Sequence, residues 1–156
     1  YYGDSLKPCT CASAMVTKYQ KRISGPLLDR IDIHIEVPRV DYEKLSGDRV
    51  GESSEAIRAR VQAARDIQQK RFSANGSSDI ICNADMRVGE IRQFCKLQDE
   101  GQSLMRAAMV QLNLSARAYH RILKLARTIA DLARSEEIQS AHLAEALQYR
   151  PKLMMG

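Results

Sequence analysis

The sequence contains no tryptophan and few other aromatic residues, and this scarcity restricts its fold class. Of its 156 residues, 5% are aromatic, 44% are hydrophobic and 28% are charged. Sheet proteins favour aromatic and β-branched residues, so a chain rich in Ala, Leu, Ile and Arg is more typical of helices. No apolar run approaches the ~20 residues that a membrane-spanning helix needs, and the N-terminus is polar. We therefore expect neither a membrane span nor a signal peptide.

The sequence also lacks the motifs of a self-sufficient nucleotide-hydrolysing site. No Gly-x-x-x-x-Gly-Lys-Ser/Thr pattern is present, and this is the loop whose backbone amides cradle phosphates. No apolar strand ends in the acidic pair that would organise Mg²⁺, and Asp99-Glu100 instead fits favourable charge at a helix start. We therefore expect that this chain alone neither binds ATP tightly nor hydrolyses it.

The cysteines and histidines form no complete metal or catalytic pattern. Cys9 and Cys11 are half of a possible zinc site, because structural zinc takes four ligands. Cys82 and Cys95 suit small hydrophobic residues of a core. The three histidines are scattered, with no partner at ligand spacing: His34, His120 and His142. The sequence predicts no metal site in this chain and no nucleophile–base arrangement. In a cytoplasmic setting, which we expect for this chain, the thiols would be reduced.

Apolar spacing predicts a mainly helical fold with one strand. A first helix ends near Arg22, and further helices are predicted over about 54–72, 88–97, 100–112, 115–134 and 140–149. Residues 31–37 alternate apolar and polar side chains, which predicts a half-buried strand. A lone strand cannot satisfy its own backbone polar groups, and no second strand is evident. We therefore interpret the chain as the C-terminal part of a larger protein whose sheet lies elsewhere.

Composition divides the chain into three predicted parts. Residues 1–40 hold the short α/β remnant, residues 41–53 form a linker rich in Gly, Ser and Asp, and residues 54–150 form a helical bundle. The net charge is +5, with a sequence pI of about 9.1. This excess permits nucleic-acid binding without requiring it, and the helix over 54–72 carries several arginines that could supply a basic face.

Arg30 lies where a Pro-initiated helical turn meets the predicted strand. Gly25-Pro26 is a good helix start because proline fixes φ and lacks an N–H at a position that needs none. A guanidinium there has a planar fork of donors suited to phosphate. The alternative is an arginine that caps the helix end or pairs with Asp29 or Asp32.

Several ungapped motifs resemble one protein family. They are Tyr1-Tyr2-Gly3-Asp4, Cys9-Thr10-Cys11, the run from Gly25 to Asp32, and the run from Leu114 to Leu123. In this order they resemble magnesium-chelatase-like AAA+ ATPases of the ComM/YifB subfamily, over essentially the whole chain. The resemblance implies that residues 1–40 are the end of the ATPase core, with the loop after sensor 1, the arginine-finger segment and the last strand. Residues 54–150 would be the helical lid and C-terminal domain.

The same resemblance implies roles for two arginines. Arg30 would be an arginine finger that reaches the γ-phosphate of ATP bound by a neighbouring subunit. Arg117 would be sensor 2, an arginine early in a lid helix that contacts the nucleotide of its own subunit; the alternative is a solvated arginine beside Arg121. The implied full-length protein uses ATP and Mg²⁺, forms a homo-oligomeric, hexameric ring and acts on DNA through branch migration.

A second class of function also fits the sequence. A non-catalytic helical module could bind nucleic acid or a protein partner through the basic face of the helix over 54–72. The acidic residues Glu55 and Asp66 interrupt that face, which favours an ordinary solvated surface.

Overall fold

The computed structural model describes residues 2–4, 6–37, 40, 42, 46, 51–74 and 79–150. Within these ranges there are seven α-helices and one 3₁₀ turn, so the predicted mainly helical class is confirmed. The helices are α1 (Ser13–Gln20), α2 (Gly25–Leu28), α3 (Ser54–Ser73), α4 (Val88–Phe94), α5 (Asp99–Gln111), α6 (Ala116–Leu132) and α7 (Ser140–Gln148), and the 3₁₀ turn is Asn83–Asp85. None of the helices described is long and apolar enough to cross a membrane.

The two longest helices begin at serine caps. The Ser53 hydroxyl accepts a hydrogen bond from the Ala56 N–H at 3.2 Å, and the Ser115 hydroxyl accepts from the Ala118 N–H at 3.1 Å. Each cap satisfies a backbone donor that has no partner within the helix. Most of the predicted linker, 41–53, lies outside the described residues, but its last residue is the cap of α3.

Helix α6 forms the centre of the core, as its strong apolar periodicity predicts. Ala118, Ile122, Ala126 and Ala130 are at most 1% exposed. The apolar spacing of the sequence predicts a core stripe on this helix made of Ala118, Ile122, Leu125, Ile129 and Leu132. This prediction is only partly correct, because Leu132 is 38% exposed. The small side chains of α6 let neighbouring helices approach closely, since interhelical distance follows the residues at the contact.

Only the C-terminal half of α3 packs on this core. The apolar spacing of the sequence predicts a core stripe of Ile57, Val61, Ala64 and Ile67. Ala64, Gln68 and Phe72 are buried, whereas Ile57 and Val61 are 41% and 44% exposed. The sequence prediction was wrong there because periodicity identifies an apolar face but not how far a neighbour extends along it.

The predicted strand over residues 31–37 is also wrong. In the part of the chain that the structure describes there is no β-strand, only an isolated bridge between Leu97 and Ile138. The segment instead runs along the helical domain, where the His34 N–H donates to the Tyr149 carbonyl at 2.9 Å. Its alternate apolar side chains remain 39% to 83% exposed: Ile31, Ile33, Ile35 and Val37. The alternating pattern therefore belongs to an extended segment with exposed apolar side chains, and not to a strand paired in a sheet.

A buried polar network fastens α3 to α6. Asp131 is 1% exposed and accepts hydrogen bonds from Arg71, from Arg127 Nε at 3.1 Å and from Asn83 Nδ2 at 2.8 Å. Burial lowers the pKa of Arg127, and the Asp131 carboxylate opposes this effect. Arg127 also donates to the Glu136 carbonyl at 2.7 Å. The network thus links α3, the 3₁₀ turn, α6 and the segment before α7.

The two cysteines that the sequence assigned to the core differ in burial. Cys95 is 4% exposed, as predicted, and burial raises the pKa of its thiol to about 12. Cys82 is only half-buried, so its assignment was wrong. It is the residue just before the 3₁₀ turn, and the Asp85 carboxylate accepts from its N–H at 3.1 Å and from its Sγ at 3.3 Å.

Replacing Asp131 by Asn should destabilise the protein strongly. The substitution keeps the side-chain volume but leaves the buried guanidinium groups of Arg71 and Arg127 without their carboxylate. Removing one partner of a buried ion pair costs about 3–5 kcal/mol, and urea unfolding measures the loss in the free energy of unfolding. The exposed Asp66, which accepts from Gln62 at 2.8 Å, supplies a matched control, since Asp66→Asn should change stability by no more than about 0.5 kcal/mol. Equal effects of the two substitutions would contradict this account.

Cys95 should make stability depend on alkaline pH. Below its ordinary pKa of 9.0 the thiol is protonated in both the folded and the unfolded chain, so it adds no pH dependence. Between pH 9 and about 12 only the unfolded chain releases the proton. The free energy of unfolding should then fall by up to about 1.4 kcal/mol per pH unit from this group. Cys95→Ala should remove that part of the slope in denaturation curves, and identical slopes for the two proteins would refute the prediction.

Candidate functional site

Arg30 lies on the surface at the end of α2. Its Nη1 donates to the Pro26 carbonyl at 2.7 Å, so the guanidinium caps the short helix. This is one of the two alternatives left open by the sequence. The other, pairing with Asp29 or Asp32, does not occur among the contacts described, because both carboxylates bind other residues. Arg30 therefore presents a positive charge that no described carboxylate neutralises.

Asp29 connects the Arg30 segment to the start of α6. The Ser115 hydroxyl donates to Asp29 Oδ2 at 3.0 Å, while its oxygen accepts the cap bond of α6. Ser115 is two residues before Arg117. The structure thus joins the segments that carry Arg30 and Arg117, which lie 87 positions apart in the chain.

Four further contacts hold residues 29–34 on the helical domain; we call these residues the strap. Arg121 pairs with Asp32 at 2.5 Å. The side chain of Arg150, 5% exposed, donates to the Ile31 carbonyl at 3.1 Å and lies 3.5 Å from Asp29 Oδ1. His34 binds the Tyr149 carbonyl through its N–H. The strap therefore crosses from the N-terminal end of α6 to the C-terminal end of α7.

Arg117 lines a groove between α4 and α6 with a volume of about 350 Å³. None of the eight described residues around it is acidic, and four are cations at neutral pH: Arg87, Arg117, Arg121 and Lys124. Buried Met86 and Ile91 also border it. The groove is therefore a basic concavity with an apolar border, and we call it the basic groove.

The cations of the basic groove differ in how far they are neutralised. Arg121 pairs with Asp32, and the exposed Arg87 lies 3.8 Å from Asp79. Lys124 donates to the Ala84 carbonyl at 2.7 Å. Among the contacts described, Arg117 has neither a hydrogen bond nor an ion pair, and it is exposed. Its charge is available to an anion.

The sequence did not identify the residues that hold this site together. Arg150 and Arg121 bind the strap, and Asp29 and Asp32 accept from them, but sequence analysis treated the two aspartates only as possible partners of Arg30. Their separation of more than 80 positions from their partners explains the omission. The one usable signal was the clustering of charged residues on either side of Arg30.

The Cys9 and Cys11 pair shows no additional ligands in the described ranges, where no group of three His, Cys, Asp or Glu side chains could hold a metal. The Cys11 backbone N–H stabilises the Cys9 thiolate and lowers the pKa of Cys9. His34 and His142 make backbone contacts, and only His120 borders the basic groove.

Two family models match the chain in succession. The model described as magnesium chelatase, subunit ChlI, matches residues 1–45, and the model of the ChlI C-terminal region matches residues 51–150.

Individual relatives agree with this assignment. The competence protein ComM of Haemophilus influenzae is 44% identical over 137 residues, which are 86% of this chain and 25% of ComM. YifB of Escherichia coli is 43% identical over 141 residues, 90% of this chain and 26% of YifB. An uncharacterized protein of Mycobacterium tuberculosis is 31% identical over 142 residues, 91% of this chain and 27% of that protein. The chain therefore spans about a quarter of the length of these relatives.

The resemblance inferred from the sequence motifs is confirmed by these matches. Since one model alone covers 51–150, well over half of the residues, the chain belongs to the magnesium-chelatase-like family that includes ComM and YifB.

Proposed function

We propose that this chain is the C-terminal part of a magnesium-chelatase-like AAA+ ATPase and supplies two arginines to its ATP sites. Arg30 acts as the arginine finger, and Arg117 acts as sensor 2. The observation that carries the proposal is the link between Asp29 and Ser115, which joins the two arginine-bearing segments. The ATP, the Mg²⁺ and the phosphate-binding loop belong to the full-length protein.

The contacts of Arg30 support its role. Asp29 and Asp32 are the nearest carboxylates in the sequence, and both bind partners on the helical domain. These bonds anchor the segment while the guanidinium stays exposed with a single bond to the Pro26 carbonyl. An arginine finger needs an anchored backbone and an exposed guanidinium, because it stabilises the charge of the transition state from a fixed position.

The surroundings of Arg117 support contact with a phosphate. It lies in the first turn of α6, exposed and without a described carboxylate partner, and it borders a concavity lined by other cations. A residue that served only as a solvated surface charge would need no such surroundings.

In the proposed mechanism the residues of this chain orient and stabilise charge. ATP hydrolysis places negative charge on the γ-phosphate oxygens, and Arg30 of one subunit stabilises this charge in the site of its neighbour. Such arginines contribute about 10³–10⁵ in rate. Arg117 holds the helical domain against the nucleotide of its own subunit, so that the lid position depends on nucleotide state. Because one site needs residues of two chains, the proposal includes a homo-oligomeric ring, which we infer to be a cytoplasmic hexamer.

The remodelled substrate is proposed to be DNA. Support comes from the name of one relative, the competence protein ComM, and from the net charge of +5.

The alternative of a non-catalytic module has less support. Its basic face would lie on α3, but Arg60 makes two bonds to Glu52, at 2.6 and 3.1 Å, and Arg71 turns inward to Asp131. These contacts leave fewer free cations on α3 than the sequence indicated. A reading frame without a Gly-x-x-x-x-Gly-Lys-Ser/Thr motif before residue 1 would favour this alternative.

Arg30→Ala in the full-length protein should leave ATP binding nearly intact and lower turnover by about 10²-fold or more. The reason is that the finger acts on the transition state of a neighbouring site. Nucleotide binding and phosphate release measure the two effects separately. Arg22→Ala is a matched control, since Arg22 is an exposed arginine of the same region and should leave turnover unchanged.

Mixed rings should show which site each arginine serves. One chain carries Arg30→Ala and an intact phosphate-binding loop, and the other carries an inactivated loop and an intact Arg30. Their mixture should regain activity, because an intact loop and an intact Arg30 then meet at one subunit interface. The same mixture made with Arg117→Ala should stay inactive if Arg117 serves its own subunit. Mixed rings that form but stay inactive with the Arg30 variant would refute the finger, and normal turnover by Arg30→Ala alone would do so as well.

A further inference from the structure

We propose that the basic groove is a polyphosphate-binding site in which Arg87 and Lys124 act together with Arg117, and that Asp32 competes with the anion for Arg121. The inference deepens the proposed function and rests on its assignment of Arg117. It adds two phosphate-contacting residues and links anion binding to the strap that carries Arg30.

The spacing of the cations supports a shared ligand. Arg117, Arg121 and Lys124 lie at positions i, i+4 and i+7 of α6, which places them on one face of the helix. At 1.5 Å per residue they span about 10 Å along its axis. Arg87 faces them from the residue that precedes α4. Four cations thus converge on one concavity. Asp32 and Asp79 offset part of the charge of Arg121 and Arg87, whereas Arg117 has no described carboxylate partner.

The size of the groove favours a compact anion over a nucleic-acid strand. Its volume of about 350 Å³ lies within the range of small-molecule sites, about 300–1,000 Å³. Strand-binding surfaces instead extend along a basic track with aromatic side chains on which bases stack. No Phe, Tyr or Trp is among the eight described residues that line this groove. The lining therefore fits phosphate groups better than stacked bases.

Asp32 connects the groove to the strap. Its carboxylate holds Arg121 at 2.5 Å, and the two side chains are 47% and 31% exposed. An ion pair this exposed is weak, so a multivalent anion in the groove can replace the carboxylate on Arg121. Since coupling between two binding events is reciprocal, whatever loosens the Asp32 contact should also strengthen anion binding.

The test uses the 156-residue chain itself and inorganic tripolyphosphate, followed by amide chemical-shift titration. We expect a dissociation constant on the order of 1 mM, with shifts in α4, in the first half of α6 and in residues 31–34. Arg87→Gln and Lys124→Gln should each weaken binding by about threefold or more, and glutamine keeps a donor for the Ala84 carbonyl. Arg92→Gln, an exposed arginine of α4 outside the groove, is the matched control and should change nothing.

Asp32→Asn tests the competition. It removes the carboxylate that holds Arg121 and should tighten tripolyphosphate binding by about two- to fivefold. Unchanged or weaker binding by this variant would overturn the proposed link, since the carboxylate would then not compete with the anion. The affinities of ATP, adenosine and tripolyphosphate show whether the bound phosphates belong to a nucleotide. Only a nucleotide site should bind ATP more tightly than tripolyphosphate, because only such a site gains affinity from the base.

Three results would overturn the site. One is equal weakening by Arg92→Gln and Lys124→Gln, which would indicate general charge attraction. Another is the absence of any titration shift in the groove. The third is tighter binding of a single-stranded oligonucleotide than of tripolyphosphate, with the same variants affected, which would make the ligand a nucleic acid.

The outcome is separable from that of the proposed function. If Arg30→Ala and Arg117→Ala lower turnover in the full-length protein while Arg87→Gln and Lys124→Gln leave tripolyphosphate binding unchanged, the ATPase assignment stands and the groove assignment fails. If tripolyphosphate binding depends on all three cations while the Arg30 and Arg117 variants turn over normally, the groove assignment stands and the ATPase assignment fails.

Discussion

The buried carboxylate of Asp131 is the interaction on which the helical domain depends. It accepts from Arg71 of α3, from Arg127 of its own helix and from Asn83 of the 3₁₀ turn, so three elements meet at one side chain. Two guanidinium groups could not be buried there without it, because isolated buried charges are costly. Arg127 also donates to the carbonyls of residues 135 and 136, which lie in the connection between α6 and α7.

The helices joined by the Asp131 network provide the surface to which the strap binds. Asp29 and Asp32 attach to side chains of the cap and the second turn of α6, and Arg150 holds the strap from the end of α7. The helix that carries Asp131 in its last turn therefore also anchors the Arg30 segment at its first turns. A change in the position of α6 would therefore move that segment and the basic groove together.

The hydrogen-bond and ion-pair partners distinguish arginines that stabilise the fold from arginines that an anionic ligand can bind. Arg71, Arg127 and Arg150 are largely buried and bind carboxylate or carbonyl oxygens, so their charges are committed to the fold. Arg30 and Arg117 are exposed without a described carboxylate partner. Net charge alone could not make this distinction, because an arginine contributes equally to it in either setting. The contacts make it, and they limit the sites where an anionic ligand can gain a partner.

The sequence by itself determined the helical class and the family, since these depend on local periodicity and on contiguous motifs. It also indicated Arg30 and Arg117, whose roles remain proposals. It misjudged the segment over 31–37 and the first half of α3, because an apolar pattern does not specify which neighbour covers it. Only the tertiary structure decided that Asp29 binds Ser115 and that Arg71 binds Asp131. These pairs are 86 and 60 positions apart, and a single sequence carries no local signal for contacts between residues so distant.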